Sequence, residues 1–544
     1  MKKQKSGHVD TFCADHAPPH DLWPVRDWTG IPELAYPDRM NCAGELLDSM
    51  VESGRSERIV FRFPGGEWTY RHLYETSNRI ANVLVQDFGV VPGNRVLLRG
   101  PNNPMMAACW FGIIKAGGVV VCTMPLLRER ELRWLADKAE ITLALSDTRF
   151  ADECQAAFMT RVDGTERKGA RVAHFNSDGD FSLEPMMRKR KPTFTNHRSE
   201  SDDTAIIAFT SGTTGEGKGT MHSHRDIMAV TDCFPRYVLQ PTEDDLFCGS
   251  PPLAFTYALG GLMLFPMRFG ASSLLLEQAT PPNLVKAIDE YRPTICFTAP
   301  TAYRAMCGML ADNDVSSLRK CVSAGETLPL TVYEAWHKAT GHRIIDGIGA
   351  TEMLHIFISA AGDDIKPGST GKVVPGYQAR VVDDDGKDVP AGAVGRLAVR
   401  GPTGCRYLDN IEQQKKYVEN GWNLTGDSYK LDEDGYFWYQ ARTDDMIISG
   451  GYNIAGPEVE NVLLEHDAVL ECAVVGEPDE DRGHLVKAFV VLRPGREESD
   501  ELVKDLQNFV KARIAPYKYP RAVQFCEALP RTNTGKLQRY RLRQ

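Results

Sequence analysis

No stretch of this chain is apolar for long enough to suggest a membrane span. The most apolar window, Met105 to Met124, is interrupted by Lys115 and by Gly117-Gly118. It reads as a core helix, a turn and a buried strand. Cysteine occurs 13 times but never as a C-x-x-C pair. That excludes a recognisable zinc site or disulfide framework and predicts buried, reduced thiols. An excess of positive charge is also missing. The formal net charge is −10, which argues against a general nucleic-acid binder. The opening Met1-Lys2-Lys3-Gln4-Lys5 lacks an apolar core behind it, so no secretory leader is expected and the expected location is the cytoplasm.

What is present is ordinary for a globular enzyme-sized chain. Hydrophobic residues make up 42% and charged residues 25% of the 544 positions, enough for several domains. Charge is uneven in one place. Residues 511–544 carry Lys511, Arg513, Lys518, Arg521, Arg531, Lys536, Arg539, Arg541 and Arg543 against one acid, Glu527. Such a tail is usually a solvated face, and here it suits anionic small molecules.

The most informative segment is Thr210-Ser211-Gly212-Thr213-Thr214-Gly215-Glu216-Gly217-Lys218-Gly219. An apolar run, Ala205–Phe209, precedes it, and a segment able to start a helix, from Ser223 through Arg225 to Val230, follows. Glycine N–H groups, hydroxyls and one Lys are what a polyphosphate needs, so a strand–loop–helix phosphate site is predicted. Gly212-x-x-x-x-Gly217-Lys218 misses a Walker A motif, because Gly219 stands where Ser or Thr should hold magnesium. A P-loop NTPase is therefore the weakest reading, and a flexible surface loop is the bland one.

Organisation follows from periodicity. Strands are predicted at 95–98, 119–122, 206–209, 272–276, 294–298, 320–323 and 343–346, with helical stretches between several of them. That alternation predicts layered α/β with largely parallel sheets, and ligands beyond the carboxyl ends of the strands. Residues 1–40 are expected to lie irregularly over the surface. After Val373 the pattern turns to antiparallel hairpins, with Gln378–Val382 and Gly395–Arg400 flanking a turn at Asp384-Asp385-Gly386-Lys387. The acidic run there lacks the ligand spacing of a calcium loop. A last unit near Asp444 contains a Pro-started helix (457–466), strands at 470–475 and 486–492, and a helix over 500–513. Its size suits an independent domain.

The glycine- and hydroxyl-rich loop resembles the phosphate loop of the acyl-adenylate-forming family (acyl-CoA ligases, luciferases, peptide-synthetase adenylation domains), usually T-S-G-T-T-G-x-P-K-G. Gly217 replaces the usual Pro, which predicts a more mobile loop. The resemblance spans nearly the whole chain, because further motifs recur in the family's order. Ser323-Ala324-Gly325-Glu326 is similar to the adenine-lining segment. Asp346-Gly347-Ile348-Gly349-Ala350-Thr351-Glu352 is similar to Y-G-x-T-E, with Ile348 in place of the aromatic. The resemblance implies that Thr351 contacts the α-phosphate and that Glu352, with Thr213, holds Mg²⁺. Thr425-Gly426-Asp427 matches T-G-D, implying that Asp427 grips the ribose hydroxyls. Arg442-Thr443-Asp444-Asp445 matches R-x-D-D, implying that Arg442 binds ribose or phosphate and Asp444 is the hinge. Ser449-Gly450-Gly451-Tyr452-Asn453-Ile454 matches the loop lining the pantetheine tunnel, and Pro530–Lys536 matches P-R/K-T-x-x-G-K, whose Lys536 assists adenylation.

The resemblance implies a large domain (1–443) of layered α/β sheets with a small β subdomain, and a small mobile α+β domain (444–544). It implies ATP, Mg²⁺ and coenzyme A as cofactor and substrates, and a two-step reaction by domain alternation. Lys218 and Mg²⁺ screen the pyrophosphate, and the thiol then displaces AMP. Thr351-Glu352-Met353-Leu354-His355-Ile356-Phe357 looks like the benzoate–CoA ligase branch. His8–Phe12, Leu22-Trp23-Pro24 and Pro251–Gly261 look like 2-aminobenzoate–CoA ligases. A flat aromatic acid would lie among Ala254, Phe255, Tyr257, Ile348, Gly349 and His355, whose imidazole accepts from an ortho-amino group or donates to an ortho-hydroxyl. The expected substrate is 2-aminobenzoate, with benzoate and salicylate next. An enzyme loading a carrier-protein thiol and a non-catalytic nucleotide-binding regulator are the alternatives. The expected partners are small molecules, not nucleic acid or membrane, and a homodimer is the assembly considered.

Overall fold

The computed structural model describes residues 5–179, 181–210, 217–449, 452–479, 483–514, 516–532 and 537–543. Among these residues two long sheets dominate. One runs in the order 171–175, 143–147, 95–99, 119–123, 204–210, 218–223. The other runs 372–373, 356–359, 344–349, 320–323, 295–298, 246–249, 272–274, 59–63, 66–69. Their central ladders are parallel, as continuous apolar strands such as Val119–Thr123 require when both faces are covered. Helix Pro104–Lys115 is buried at every position, its Pro opening the first turn and the Asn103 side chain accepting the Met106 N–H at 2.9 Å. No described helix is long and apolar enough to cross a membrane.

The expected hairpin forms. Gln378–Val382 pairs antiparallel with Val394–Arg400, and the strands Trp422–Leu431 and Phe437–Arg442 extend the sheet. The final unit has its own apolar core, in which Val459, Leu463, Val474, Val490, Leu506 and Val510 meet. Its helix Asp500–Arg513 occupies the predicted span, capped by Ser499, which accepts the Leu502 N–H at 3.1 Å. The chain therefore has a large N-terminal and a small C-terminal domain.

Two expectations change. The N-terminal segment is not merely draped on the surface. Phe12, Cys13, Ile31 and Leu34 are buried, and the buried Arg26 pairs with the fully buried Asp226 at 3.1 Å. The second correction concerns the phosphate loop. The segment after it is first a strand, Lys218–Ser223, antiparallel to Thr204–Thr210 with Thr210 opposite Lys218. The helix then starts where expected, with Ser223 as its cap and Ser223 and Asp226 forming a capping box. Two paired strands thus flank residues 211–216, and one strand separates them from the helix. The run Lys218–Ser223 can extend because its edge pairs onward. Met221 N–H donates to Arg406 O at 2.9 Å and Leu408 N–H to Gly219 O at 2.8 Å.

Candidate active site

The candidate site gathers at the carboxyl ends of parallel strands from both sheets. Ser211, Gly212, Thr213, Thr214 and Gly215 lie outside the described residues, but the hairpin that carries them is in place. Lys218 opens the outgoing strand in a half-buried position. Gly217 now has a packing reason. A Cβ there would stand 3.1 Å from both the Thr210 carbonyl and the Trp134 ring, and Trp134 packs edge-on against Phe209 at 5.8 Å. The indole fills the space that a proline ring would take, so the substitution tracks a neighbour as well as loop stiffness.

Strand Ile344–Gly349 runs on beyond Asp346, pairing antiparallel with Ile356–Ser359. A single 3₁₀ turn, Thr351–Met353, lies in the connection between the two strands. Leu354 closes that turn at φ +71°, a strained conformation for a side chain of its size. Three distant contacts hold the turn. The His222 ring donates through Nε2 to Thr351 O at 2.7 Å, Thr403 Oγ1 donates to Met353 O at 2.9 Å, and Tyr407 Oη donates to Glu352 Oε1 at 2.6 Å. Burial lowers His222 to about 4, so it is neutral. Burial likewise raises the Tyr407 phenol, so it stays a donor. Lys218, Thr351 and Glu352 are thereby tied through one strand: His222 lies four residues beyond Lys218, and Tyr407 is bridged to Thr220.

At the nucleotide end, Gly325 adopts φ +88°, which suits only glycine, immediately after strand Lys320–Ser323. Burial pushes the Asp346 carboxyl up to about 8, and its Oδ1 has no hydrogen-bond partner among the described residues. Ser323, its register neighbour, also has an unpartnered hydroxyl there. Orphaned buried polar atoms at a glycine-opened edge fit a polar heterocycle, where each unmet bond would otherwise cost about 1–3 kcal/mol. Gly347 and Ile348 lie on the same strand. A Cβ on Gly347 would stand 2.9 Å from Ile356, so close strand packing requires the glycine.

Asp427 and Arg442, 15 residues apart in sequence, are register neighbours on paired strands. Arg442 Nη1 donates to Asp427 Oδ1 and to Thr425 O, both at 3.1 Å. Gly426, at φ +78°, leaves room for the guanidinium, because a Cβ there would stand 2.6 Å from Arg442 Nη2. Asp444 falls in the 3₁₀ turn Thr443–Asp445. Gly450 and Gly451 lie outside the described residues, and the strands Ile447–Ser449 and Tyr452–Ile454 on either side pair antiparallel. Lys536 also lies outside them. The root of its loop is defined: Arg531 bridges to Leu537 and reaches Glu471 at 2.9 Å and Glu326 at 3.9 Å. The loop root therefore rests beside Glu326. Glu352 is a half-buried carboxylate, a hard oxygen donor suited to Mg²⁺ beside phosphates.

On the acyl side, Ala254, Phe255 and Tyr257 are half-buried, and Gly349 is exposed. The Tyr257 hydroxyl is committed to the carbonyls of Thr298 at 3.3 Å and Val322 at 3.2 Å, so its ring is what remains for a ligand. His355 is 3% exposed and packs edge-on against Phe265 at 4.4 Å. Its Nε2 lies 3.2 Å from Tyr257 O, and Nδ1 has no partner among the described residues. A carbonyl can only accept, so Nε2 carries the proton and Nδ1 offers a lone pair. Gly260 makes this possible, since a Cβ would sit 2.3 Å from His355 Cδ2.

Sequence reasoning missed His222, Tyr407, Trp134 and Gly260. Only Gly260 lies in a segment singled out in the sequence, Pro251–Gly261, and each acts through a partner more than 50 residues away.

The AMP-binding enzyme family model matches residues 50–407, and that of the AMP-binding enzyme C-terminal domain matches residues 458–536. A benzoate–CoA ligase of Thauera aromatica is 35% identical over 522 residues, covering 94% of this chain and 97% of that protein. A 3-hydroxybenzoate–CoA ligase of Aromatoleum sp. (strain CIB) is 32% identical, covering 93% and 97%. The crystal structure of an anthranilate CoA ligase in complex with anthranoyl-AMP superposes with a TM-score of 0.87 at 34% identity, covering 94% of this chain and 98% of that one. With two family models matching residues 50–407 and 458–536 and a relative 35% identical over 94% of its length, the chain belongs to the AMP-binding enzyme family.

Proposed function

We propose that this protein is an ATP-dependent aryl acid–CoA ligase acting on 2-aminobenzoate. Similarity to ligases of benzoate, 3-hydroxybenzoate and anthranilate supports the aryl class. The observation that carries a preference for an ortho donor over unsubstituted benzoate is the tautomer of His355, and the choice of amino over hydroxyl follows the similarity to an anthranilate ligase. Its donor is spent on Tyr257 O, and burial lowers it to about 3, so the ring is neutral and Nδ1 is an acceptor without a partner. An ortho N–H satisfies that lone pair, whereas the hydrogen of benzoate does not. A buried acceptor left unmet disfavours the wrong substrate. Of the two ways the ring could read an ortho group, accepting from a donor is the one this tautomer supports.

In the first step a carboxylate oxygen attacks the α-phosphorus of ATP, and the bond to pyrophosphate breaks. Lys218 and the hairpin glycines offset the charge on the leaving group. Thr351, held by His222, faces the α-phosphate, and Asp427 with Arg442 holds the ribose. Mg²⁺, when bound, neutralises phosphate charge, and Glu352 with Thr213 would hold it. In the second step the thiol sulfur of CoA attacks the aryl carbonyl. The carbonyl–oxygen bond to AMP breaks, and the thiol proton is released. We assign the domain boundary at 443/444, with Asp444 as the hinge. Lys536 serves the first step and the Gly450-Gly451 loop the second.

The test is AMP release across a panel of benzoate derivatives with free CoA as the sole thiol. Thioester and AMP from 2-aminobenzoate, ahead of benzoate and salicylate, supports the reading. Adenylate without thioester points to a carrier-protein thiol. Absence of acid-dependent pyrophosphate exchange means a nucleotide-binding regulator.

A further inference from the structure

The acyl wall begins at Pro251-Pro252-Leu253, a segment poor in backbone donors because two of its residues are prolines. What holds it is a single side chain from the other sheet. Asn102 follows strand Arg95–Arg99, and its amide makes both contacts that a neighbouring strand would make. Its Nδ2 donates to Pro251 O at 2.9 Å, and its Oδ1 accepts the Leu253 N–H at 2.7 Å. Asn102 is 5% exposed and Leu253 is 4% exposed, so the bond to Leu253 is buried, while that to the half-buried Pro251 is partly so. Phe255 N–H then closes a turn onto Pro252 O at 2.9 Å. The register of Pro251–Leu253 thus sets where Ala254 and Phe255 stand.

Asn103 continues the seam. Its Nδ2 donates to Asp147 at 3.2 Å and to Glu277 at 3.0 Å, while Arg149 joins the same two carboxylates. Upstream, Ser250 is fastened separately to strand Ile295–Thr298, N–H to Phe297 O at 3.1 Å and Oγ to Thr298 Oγ1 at 2.5 Å. The strand end stays in place through Ser250, so loss of the Asn102 amide frees only the wall beyond it.

We propose that Asn102 is a specificity-determining positioning residue, clamping Pro251–Leu253 so that Ala254 and Phe255 present a fixed wall to the acid. The inference rests on the reading that this wall faces the acyl group. Asn102 touches neither nucleotide nor thiol in that arrangement, so its influence is confined to the acid.

The experiment compares wild type with Asn102→Ala and Asn102→Ser in steady-state kinetics, with thermal midpoints alongside. The Ser variant keeps one hydrogen-bonding group for the wall. Asn102→Ala is expected to raise the KM for the acid about tenfold and to narrow discrimination between 2-aminobenzoate and 4-substituted benzoates about fivefold. The KM for ATP is expected to stay within about twofold, and Asn102→Ser to lie between the two. Equal rises in both KM values, or an unchanged acid KM, overturn the proposal. If Asn102→Ala does not fold, the same split is read from Asn102→Ser alone. If wild type prefers a non-aromatic acid, the aryl reading fails. The acid-against-ATP split, measured with that acid, still decides the role of Asn102.

Discussion

The Tyr407 hydroxyl donates a 2.6 Å hydrogen bond to Oε1 of Glu352, across 55 residues of sequence. It does so because Arg406–Leu408 pairs with the outer edge of strand Lys218–Ser223. The strand that starts at Lys218 thus also aims the carboxylate assigned to Mg²⁺. A hydrogen bond to a charged group contributes about 1.5–3 kcal/mol. Tyr407→Phe is expected to slow acid-dependent pyrophosphate exchange roughly 10- to 100-fold, with part of the loss recovered at high Mg²⁺. A wild-type rate and Mg²⁺ dependence would show that the contact does not orient Glu352.

His355 and Gly260 form a second testable pair. Gly260→Ala places a methyl 2.3 Å from the present position of His355 Cδ2, so the ring must move. His355→Ala removes the Nδ1 acceptor directly. Both variants are expected to lower the ratio of 2-aminobenzoate to benzoate turnover about tenfold while leaving benzoate within a few-fold of wild type. An unchanged ratio in both would mean that the ortho group is read elsewhere.

The small domain rests on the large one through charge. Arg304 reaches Glu471 at 2.6 Å, and Arg531 reaches Glu471 at 2.9 Å and Glu326 at 3.9 Å. These are partly exposed pairs, each worth at most about 1 kcal/mol, but Glu471 joins two arginines. The arrangement brings Arg531, at the root of the Lys536 loop, to Glu326, which suits the adenylating role proposed for Lys536. Glu471→Gln is expected to slow adenylation two- to fivefold, less so at high salt, and to spare thioester formation from supplied aryl-AMP. Lys536→Ala is expected to show the same asymmetry, at least a hundredfold in adenylation. Equal loss in both half-reactions would remove the assigned role of Lys536.

Three buried imidazoles make stability pH-dependent. Burial lowers His222 to about 4 and both His224 and His355 to about 3, against an ordinary value of 6.5. Below pH 6.5 the unfolded chain binds protons that the native chain refuses. Their contribution is therefore complete above pH 6.5 and declines as the pH falls toward 3–4, by up to ~1.4 kcal/mol per pH unit for each ring. Thermal midpoints are expected to drop between pH 7 and pH 5, and His224→Gln to shrink that slope. A flat profile over this range would mean the rings titrate freely in the folded protein.

What was readable without coordinates was whatever short-range pattern controls. Ser499 followed by an amphipathic run determined the helix Asp500–Arg513 to the residue, because capping and 3.6-residue periodicity are local. The alternation of apolar strands and helices, with Gly-rich segments after several strands, determined the parallel sheets and the end at which the site lies. The order of the motifs determined the family.

Tertiary structure decided what those local patterns leave open. Lys218–Ser223 became a strand between the loop and the expected helix start at Ser223, since residues 406–408 supply its second edge. Asp427 met Arg442 because their strands pair in that register. His355 acquired one tautomer because a carbonyl 98 residues away accepts from Nε2. Each of these is a partner choice between groups distant in sequence. The chain's local preferences are the same whether or not the partner arrives, and only packing of the two sheets brings it there.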